Sequence, residues 1–182
     1  MVENKYLVFK KSKIHNMGGY AKCDIRRGTR IIEYIGRPLT KKKAQKELED
    51  GNGYVFTINK HFDIDGSVEW NPARFINHSC DPNAESDIVD DRVWIDAVKN
   101  IKKGEEIVYN YNYDLVDAFD NPCNCGGKNC LGYMVGDDHF KKLKKQTYCS
   151  MWLILPMQNI VKPWTKLMMF LKKLKPERFN NY

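Results

Sequence analysis

The order of apolar and polar positions along the chain predicts short strands first and a helix-compatible stripe only near the end. Tyr6–Phe9, Arg30–Ile35, Tyr54–Ile58, Asp91–Val98 and Glu106–Tyr111 are rich in β-branched and aromatic residues. Such side chains fit a pleated, half-buried surface. Turn-forming clusters separate these runs: Asn16–Gly19, Arg27–Thr29, Asp65–Ser67 and Lys102–Gly104. One helix is expected among them. Thr40 can cap it, Lys41–Asp50 is charged with Ala44 and Leu48 four apart, and Gly51 can end it. Short strands at this spacing predict a mainly β domain of small sheets, not an alternating βαβ array. Beyond it, Ile160, Trp164, Leu167, Met168, Leu171 and Leu174 recur at helical spacing, with Pro163 placed for a first turn.

Charge divides the chain at the same place. The 182 residues carry a formal charge of +7. Residues 1–138 hold 20 Lys and Arg against 22 Asp and Glu, and residues 139–182 hold 10 against one, Glu177. The basicity therefore belongs to the tail. Lys162, Lys166, Lys172, Lys173 and Lys175 surround its apolar stripe, a pattern suited to a membrane surface, a nucleic acid or a protein partner, or to packing on the domain. No apolar run is long enough for a membrane span, and no secretory signal opens the sequence. The expected setting is reducing and intracellular, in nucleus or cytoplasm.

The six cysteines do not read as a disulfide framework. Cys123, Cys125 and Cys130 fall within eight residues, with Gly126-Gly127 between them to let the backbone wrap an ion. Soft thiolates at this spacing suit tetrahedral zinc, which needs a fourth ligand. Cys80 is the first candidate and His139 the alternative. Cys23 lies in an expected strand and Cys149 in the tail. A reactive thiol pair is the competing reading of the loop.

Cys80 belongs to the most informative run of all, Arg74-Phe75-Ile76-Asn77-His78-Ser79-Cys80-Asp81-Pro82-Asn83. Polar groups at the end of an apolar pair, followed by a tight Asp-Pro-Asn turn, mark a site and not a core. Other runs stand in a fixed order around it. They are Ile14–Ala21, Arg27–Gly36, Tyr54–Phe56, Gly104–Tyr111 and Cys123–Gly132. Together these six runs resemble the SET-domain protein lysine methyltransferases, whose post-SET loop binds zinc.

The resemblance implies a β-clip-like SET fold of small curved sheets with a knot-like threading of Asn77–Cys80 near Tyr111. It places a SET domain at residues 5–115, a post-SET zinc loop at 116–135, and a C-terminal helical tail at 139–182 without family counterpart. It implies S-adenosylmethionine as methyl donor and a lysine-containing protein, possibly a histone, as acceptor. Tyr111 matches the active-site tyrosine, Tyr54 the lysine channel, and Tyr109 the position that tunes product state; a tyrosine there favours monomethylation. Met17, Gly18, Tyr20, Arg74, Asn77, His78 and Leu131 match the cofactor segments, with Tyr111 beside them. Cys80, Cys123, Cys125 and Cys130 match the zinc ligands. Three positions depart from the usual pattern: Asn16 in place of a glycine, Gly19 in place of an apolar residue, and Asn110 in place of Asp. A non-enzymatic zinc-binding interaction module is the alternative function.

Overall fold

The computed structural model describes residues 4–118 and 120–140. Ten short strands form three sheets, and their order follows from which backbones the turns can bring together. β1 (Leu7–Lys11) and β2 (Met17–Ala21) form an antiparallel hairpin. β10 (Glu106–Tyr109) pairs with β2, Ile107 facing Gly19, and β7 (Asn77–His78) adds to β10 in parallel, giving the order β1-β2-β10-β7. A second sheet orders β3 (Arg30–Tyr34), β9 (Arg92–Ala97) and β8 (Ala84–Val89). The third orders β4 (Arg37–Thr40), β6 (Phe62–Asp65) and β5 (Val55–Thr57).

Strand periodicity supplies the core. In β9, Val93, Ile95 and Ala97 are buried while Arg92, Trp94 and Asp96 are not. These residues join Leu7, Ile31, Ile76 and Ile107 in one contiguous cluster. The β8–β9 hairpin turns through Asp90 and Asp91, at φ 51° and 58°. Both central residues thus lie in the left-handed region that a two-residue hairpin favours.

The helical insert is α1 (Lys41–Glu49). Thr40 caps it through a 3.4 Å bond from the Lys43 amide, and Gly51 follows its end at φ 89°. Below it, the carboxylate of buried Asp65 accepts from Arg37 Nη2 at 2.8 Å, Asn52 Nδ2 at 3.0 Å and the Ser67 amide at 2.9 Å. Burial alone would raise the Asp65 pKa, but those donors hold it below the usual value.

Some expectations shift. Asn16–Gly19 is not one turn: only Asn16 turns, at φ 36°, and Met17–Gly19 belong to β2. Glycine in a strand often marks close approach, and a Cβ on Gly18 would stand 2.3 Å from Glu106 Oε1. Asn replaces the usual glycine at position 16 because it tolerates positive φ. Gly19 has no spare room either, with Leu7 and Ile76 atoms 3.1 and 3.2 Å from where its Cβ would be. Cys23 lies in a bend after β2, not in a strand. β10 ends at Tyr109, so Tyr111 lies past the ladder. Strands β4, β6, β7 and β8, and the short helix α2 (Leu115–Ala118), were not anticipated. The helical stripe of the tail falls outside the described residues, which reach only His139 and Phe140 of that segment.

Candidate functional site: a tyrosine cleft beside a cysteine cluster

Parallel pairing of β7 with β10 sets Asn77 beside Val108 and His78 beside Tyr109. The ladder continues as the Ser79 amide donates to the Tyr109 carbonyl at 3.1 Å and the Asn83 amide to Val108 at 3.2 Å. Two segments about thirty residues apart are thus held side by side, the pair whose crossing the resemblance implies.

Past the end of β10, Tyr109 and Tyr111 pack with ring centroids 4.9 Å apart, and Tyr113 follows at 6.3 Å from Tyr111. Tyr34, Tyr54 and Phe56 complete the wall of a narrow cleft of about 80 Å³. Tyr54 is 44% exposed and Tyr109 5%, so the cleft grades from an open rim to a closed floor. Among the described residues no acidic one lines it. Burial drives the pKa of Tyr34, Tyr109, Tyr111 and Tyr113 upward. These four are therefore neutral phenols at physiological pH. The Tyr111 hydroxyl donates to the Ile76 carbonyl at 2.9 Å. That bond fixes the hydroxyl and leaves its oxygen as an acceptor. Such a phenol can orient an N–H group but is a poor base.

Arg74 also lines this cleft. Its Nη1 donates to the Ser67 carbonyl, its guanidinium stacks 4.8 Å from the Phe75 ring centre, and its buried Nε has no partner among the described residues.

Asn77 and His78 are almost completely buried. Asn77 Nδ2 donates to Glu106 Oε1 at 2.9 Å, to the Met17 carbonyl at 3.0 Å and to that of His15 at 3.3 Å. The Tyr20 hydroxyl donates to Glu106 Oε2 at 2.9 Å. The β2 turn, Tyr20 and Asn77 are thus gathered around one carboxylate. His78 Nδ1 accepts the Tyr111 amide at 3.2 Å, so the neutral ring carries its hydrogen on Nε2, which lies 3.4 Å from Cys80 Sγ. Burial pushes the His78 pKa down to about 4. One imidazole therefore touches both the tyrosine cleft and the cysteine cluster.

The sulfurs of Cys80, Cys123, Cys125 and Cys130 all lie within 4.8 Å of one another, and Cys80 and Cys123 are 3.8 Å apart. Tetrahedral zinc with Zn–S bonds of about 2.3 Å sets sulfurs about 3.8 Å apart, so these residues fit the ion. Amides of Cys80 and Gly127 donate to Cys125 Sγ at 3.4 Å each, and that of Gly132 to Cys130 Sγ at 3.3 Å. Without a cation, burial raises the thiol of Cys123 to about 12 and that of Cys80 higher still. Cys125 is lowered to about 7, because the amide donors outweigh its own burial. Four thiolates this close need a positive ion to coexist. Among the described residues the fourth member of the cluster is Cys80, and His139 is not part of it.

The structure gathers most of the residues singled out from sequence. Tyr54, Tyr109, Tyr111 and Arg74 meet at the cleft; Met17, Gly18, Tyr20 and Asn77 meet around Glu106, and His78 lies between Tyr111 and Cys80. Leu131 is half-buried beside Cys130 and does not line the cleft. Glu106, Tyr34 and Tyr113 were missed. Glu106 reads as one more strand-edge acid, and only the contacts of β10 reveal what it holds. Asn110 donates to the Val135 carbonyl at 3.0 Å and to Asp137 Oδ1 at 2.9 Å. The commoner Asp could make neither bond.

Small sheets, a parallel two-residue strand beside a tyrosine cleft, and a four-cysteine cluster define a SET-type domain. The SET domain family profile matches residues 16–112, and the chain belongs to that family. It is 38% identical to histone-lysine N-methyltransferase 2D of Homo sapiens over 141 residues, 72% of this chain and 2% of that protein. It is equally identical to histone-lysine N-methyltransferase set-2 of Caenorhabditis elegans over 140 residues, 71% of this chain and 9% of that one. The H3 lysine-36 specific enzyme of Coccidioides immitis is 34% identical over 150 residues, 77% of this chain and 15% of that one. The chain thus spans only a small part of these relatives. Among solved structures, an inhibitor-bound humanized mutant of the Chaetomium thermophilum Polycomb Repressive Complex 2 superposes with a TM-score of 0.54 at 29% identity. That match covers 60% of this chain and 15% of the other.

Proposed function

We propose that this domain transfers a methyl group from S-adenosylmethionine to the ε-amine of a lysine in a protein, with a histone as the favoured substrate and a monomethyl product. The observation that carries this reading is the Tyr111 hydroxyl, bonded to the Ile76 carbonyl inside a cleft of tyrosines. S-adenosylmethionine supplies an electrophilic methyl on a sulfonium. The amine nitrogen forms the new N–C bond as the S–C bond breaks, and the amine's proton leaves to water beforehand.

Each part of the cleft has a task in that reaction. An aromatic wall without a carboxylate favours the neutral amine, because burial penalises the ammonium. The Tyr111 oxygen accepts an amine N–H and points the lone pair, and such alignment lowers the barrier by several kcal/mol. Tyr109, on the closed floor, occupies space that further methyl groups would need. Arg74, Asn77, His78, Met17, Gly18, Tyr20 and Leu131 are assigned to the methyl donor, with Tyr111 beside them. The four cysteines are assigned to a structural zinc that ties the 116–135 loop to the Asn77 turn. The 139–182 segment is assigned to a contact with nucleic acid, a membrane surface or a protein.

Incubation with labelled S-adenosylmethionine and separated histones tests the reading. Label should enter lysine, and Tyr111→Phe should lower kcat/KM by about 10² to 10³, the cost of one well-placed oriented group. Because the tyrosines stay protonated, kcat/KM should climb about tenfold per pH unit between 7 and 9, following the free amine whose ordinary pKa is about 10.4. A plateau at neutral pH would instead mean a base on the enzyme. Tyr109→Phe should raise the di- and trimethyl fraction by mass spectrometry; trimethyl product from the unmutated protein would refute the monomethyl assignment. No transfer, together with no cofactor-induced rise in Tm, would favour a docking module.

A further inference from the structure

Glu106 stands where three elements meet. Its Oε1 accepts the Ser12 hydroxyl at 2.7 Å and Asn77 Nδ2 at 2.9 Å, and its Oε2 accepts the Tyr20 hydroxyl at 2.9 Å. The other two acceptors around Asn77 Nδ2 are the main-chain carbonyls of Met17 and His15. Every one of these partners is an oxygen that only accepts.

A primary amide has a donor end and an acceptor end of nearly the same shape. Reversing Asn77 would set its Oδ1 against a carboxylate and two carbonyls, so only one orientation is tenable. In that orientation Nδ2 is consumed, and no donor among the described residues bonds to Oδ1. Gly18 keeps the carboxylate in place by lacking a side chain, since a Cβ there would stand 2.3 Å from Oε1.

We propose that Glu106 is a positioning residue that fixes the polarity of the Asn77 amide, so that Oδ1 is presented as an acceptor to the ammonium group of the methyl donor's amino-acid end. This rests on the methyl-donor reading of the Asn77 turn given above. Glu106 does not touch the donor in this scheme; it acts through Asn77. A glutamine at 106 keeps the shape but can turn an N–H toward Asn77, so the carboxylate no longer excludes the reversed amide and only the Met17 and His15 carbonyls oppose it.

The test compares binding of S-adenosylhomocysteine with that of its analogue lacking the α-amino group. A hydrogen bond to a charged group predicts that the unmutated protein prefers the amino compound by about 10- to 100-fold. Glu106→Gln should lower that preference by about 2-fold or more, the factor lost when half of the population presents the wrong end of the amide. Gly18→Ala, which displaces the same carboxylate, should act in the same direction. Ser12→Ala removes a donor that does not touch Asn77 and should keep the preference. In an Asn77→Ala background, Glu106→Gln should add nothing. A Glu106→Gln protein that retains the full preference overturns the assignment. An unmutated protein that binds both compounds without preference overturns it too, while one that binds neither overturns the methyl-donor reading and this inference with it. If the Glu106 and Gly18 variants fail to fold, the side-chain amide of Asn77 decides in the unmutated protein. Solvent-protected Nδ2 hydrogens in the 1H–15N spectrum before cofactor is added support the assignment, and freely exchanging ones overturn it.

Discussion

The β domain and the cysteine loop are held by different forces, although they meet at one imidazole. The seventeen-residue buried cluster ends at Tyr109 and draws on all three sheets. Burying such side chains is worth about 1.5–3 kcal/mol each before chain entropy is counted. Among the described residues from Leu115 to Phe140 the buried apolar ones are Ala118, Cys123 and Val135. That segment has too little apolar surface to hold itself in place. Its hold comes from four sulfurs and a few polar ties: Asp81 to Asn129, Asn110 to Val135, and the Gly136 amide to the Tyr113 carbonyl at 2.8 Å. The difference teaches that the domain can fold as an apolar core does, whereas the loop, on the proposed zinc reading, would need an ion to be held.

Three experiments would break or sharpen that contrast. The largest effect is expected from Ile95→Ala. Ile95 is fully buried at the centre of β9, and an Ile→Ala cavity costs about 2–5 kcal/mol. Urea unfolding should show the whole domain losing that stability, with cleft and loop melting together. A loss of loop structure alone would contradict the division.

Metal removal comes next. Chelation should release residues 116–135 while leaving the far-UV spectrum of the sheets almost unchanged. It should also weaken cofactor binding by about 10- to 100-fold, the usual scale for groups that support a metal centre. The link is physical: Cys80 Sγ lies 3.4 Å from His78 Nε2, and His78 Nδ1 holds the Tyr111 amide. Unchanged cofactor affinity after chelation would cut that link. Global unfolding on chelation would show that the β domain also depends on the ion.

The smallest effect belongs to Asp81→Ala. Asp81 accepts Asn129 Nδ2 at 2.7 Å, and the Asn129 side chain is the main cause of its lowered pKa. Losing this exposed tie should cost about 1 kcal/mol, read as a several-fold loss of metal affinity in competition with a chromophoric chelator, with Tm unchanged. A large drop in Tm would mean that Asp81 supports the core as well.

Much of this was legible in the sequence because its physics is local. The β-branched alternation of Val93-Trp94-Ile95 sets a strand with one buried face. Thr40 and Gly51 bound the helix by capping. Cys-x-Cys-x4-Cys announces a metal because three thiolates on a glycine-containing loop have few other uses. The site residues came largely from motif order, and most of them do converge. Glu106 and Tyr113 escaped because nothing in a strand-edge acid or an exposed-looking tyrosine says what it will meet. Gly18 misled in the opposite direction: two glycines soon after Asn16 look like a turn until a carboxylate 88 positions away requires the bareness of Gly18.

The sequence by itself determined the strand-rich class, the capped insert, the separation of a nearly neutral domain from a basic tail, and the three-cysteine loop. These depend on periodicity, composition and spacing within a few residues. Only the tertiary structure decided that Cys80 and not His139 completes the cysteine cluster, that Tyr111 is a hydrogen-bonded neutral phenol, and that one carboxylate orients Asn77. Those outcomes depend on burial and on contacts between segments tens of residues apart, and a two-residue parallel pairing of β7 with β10 is what brings them within reach.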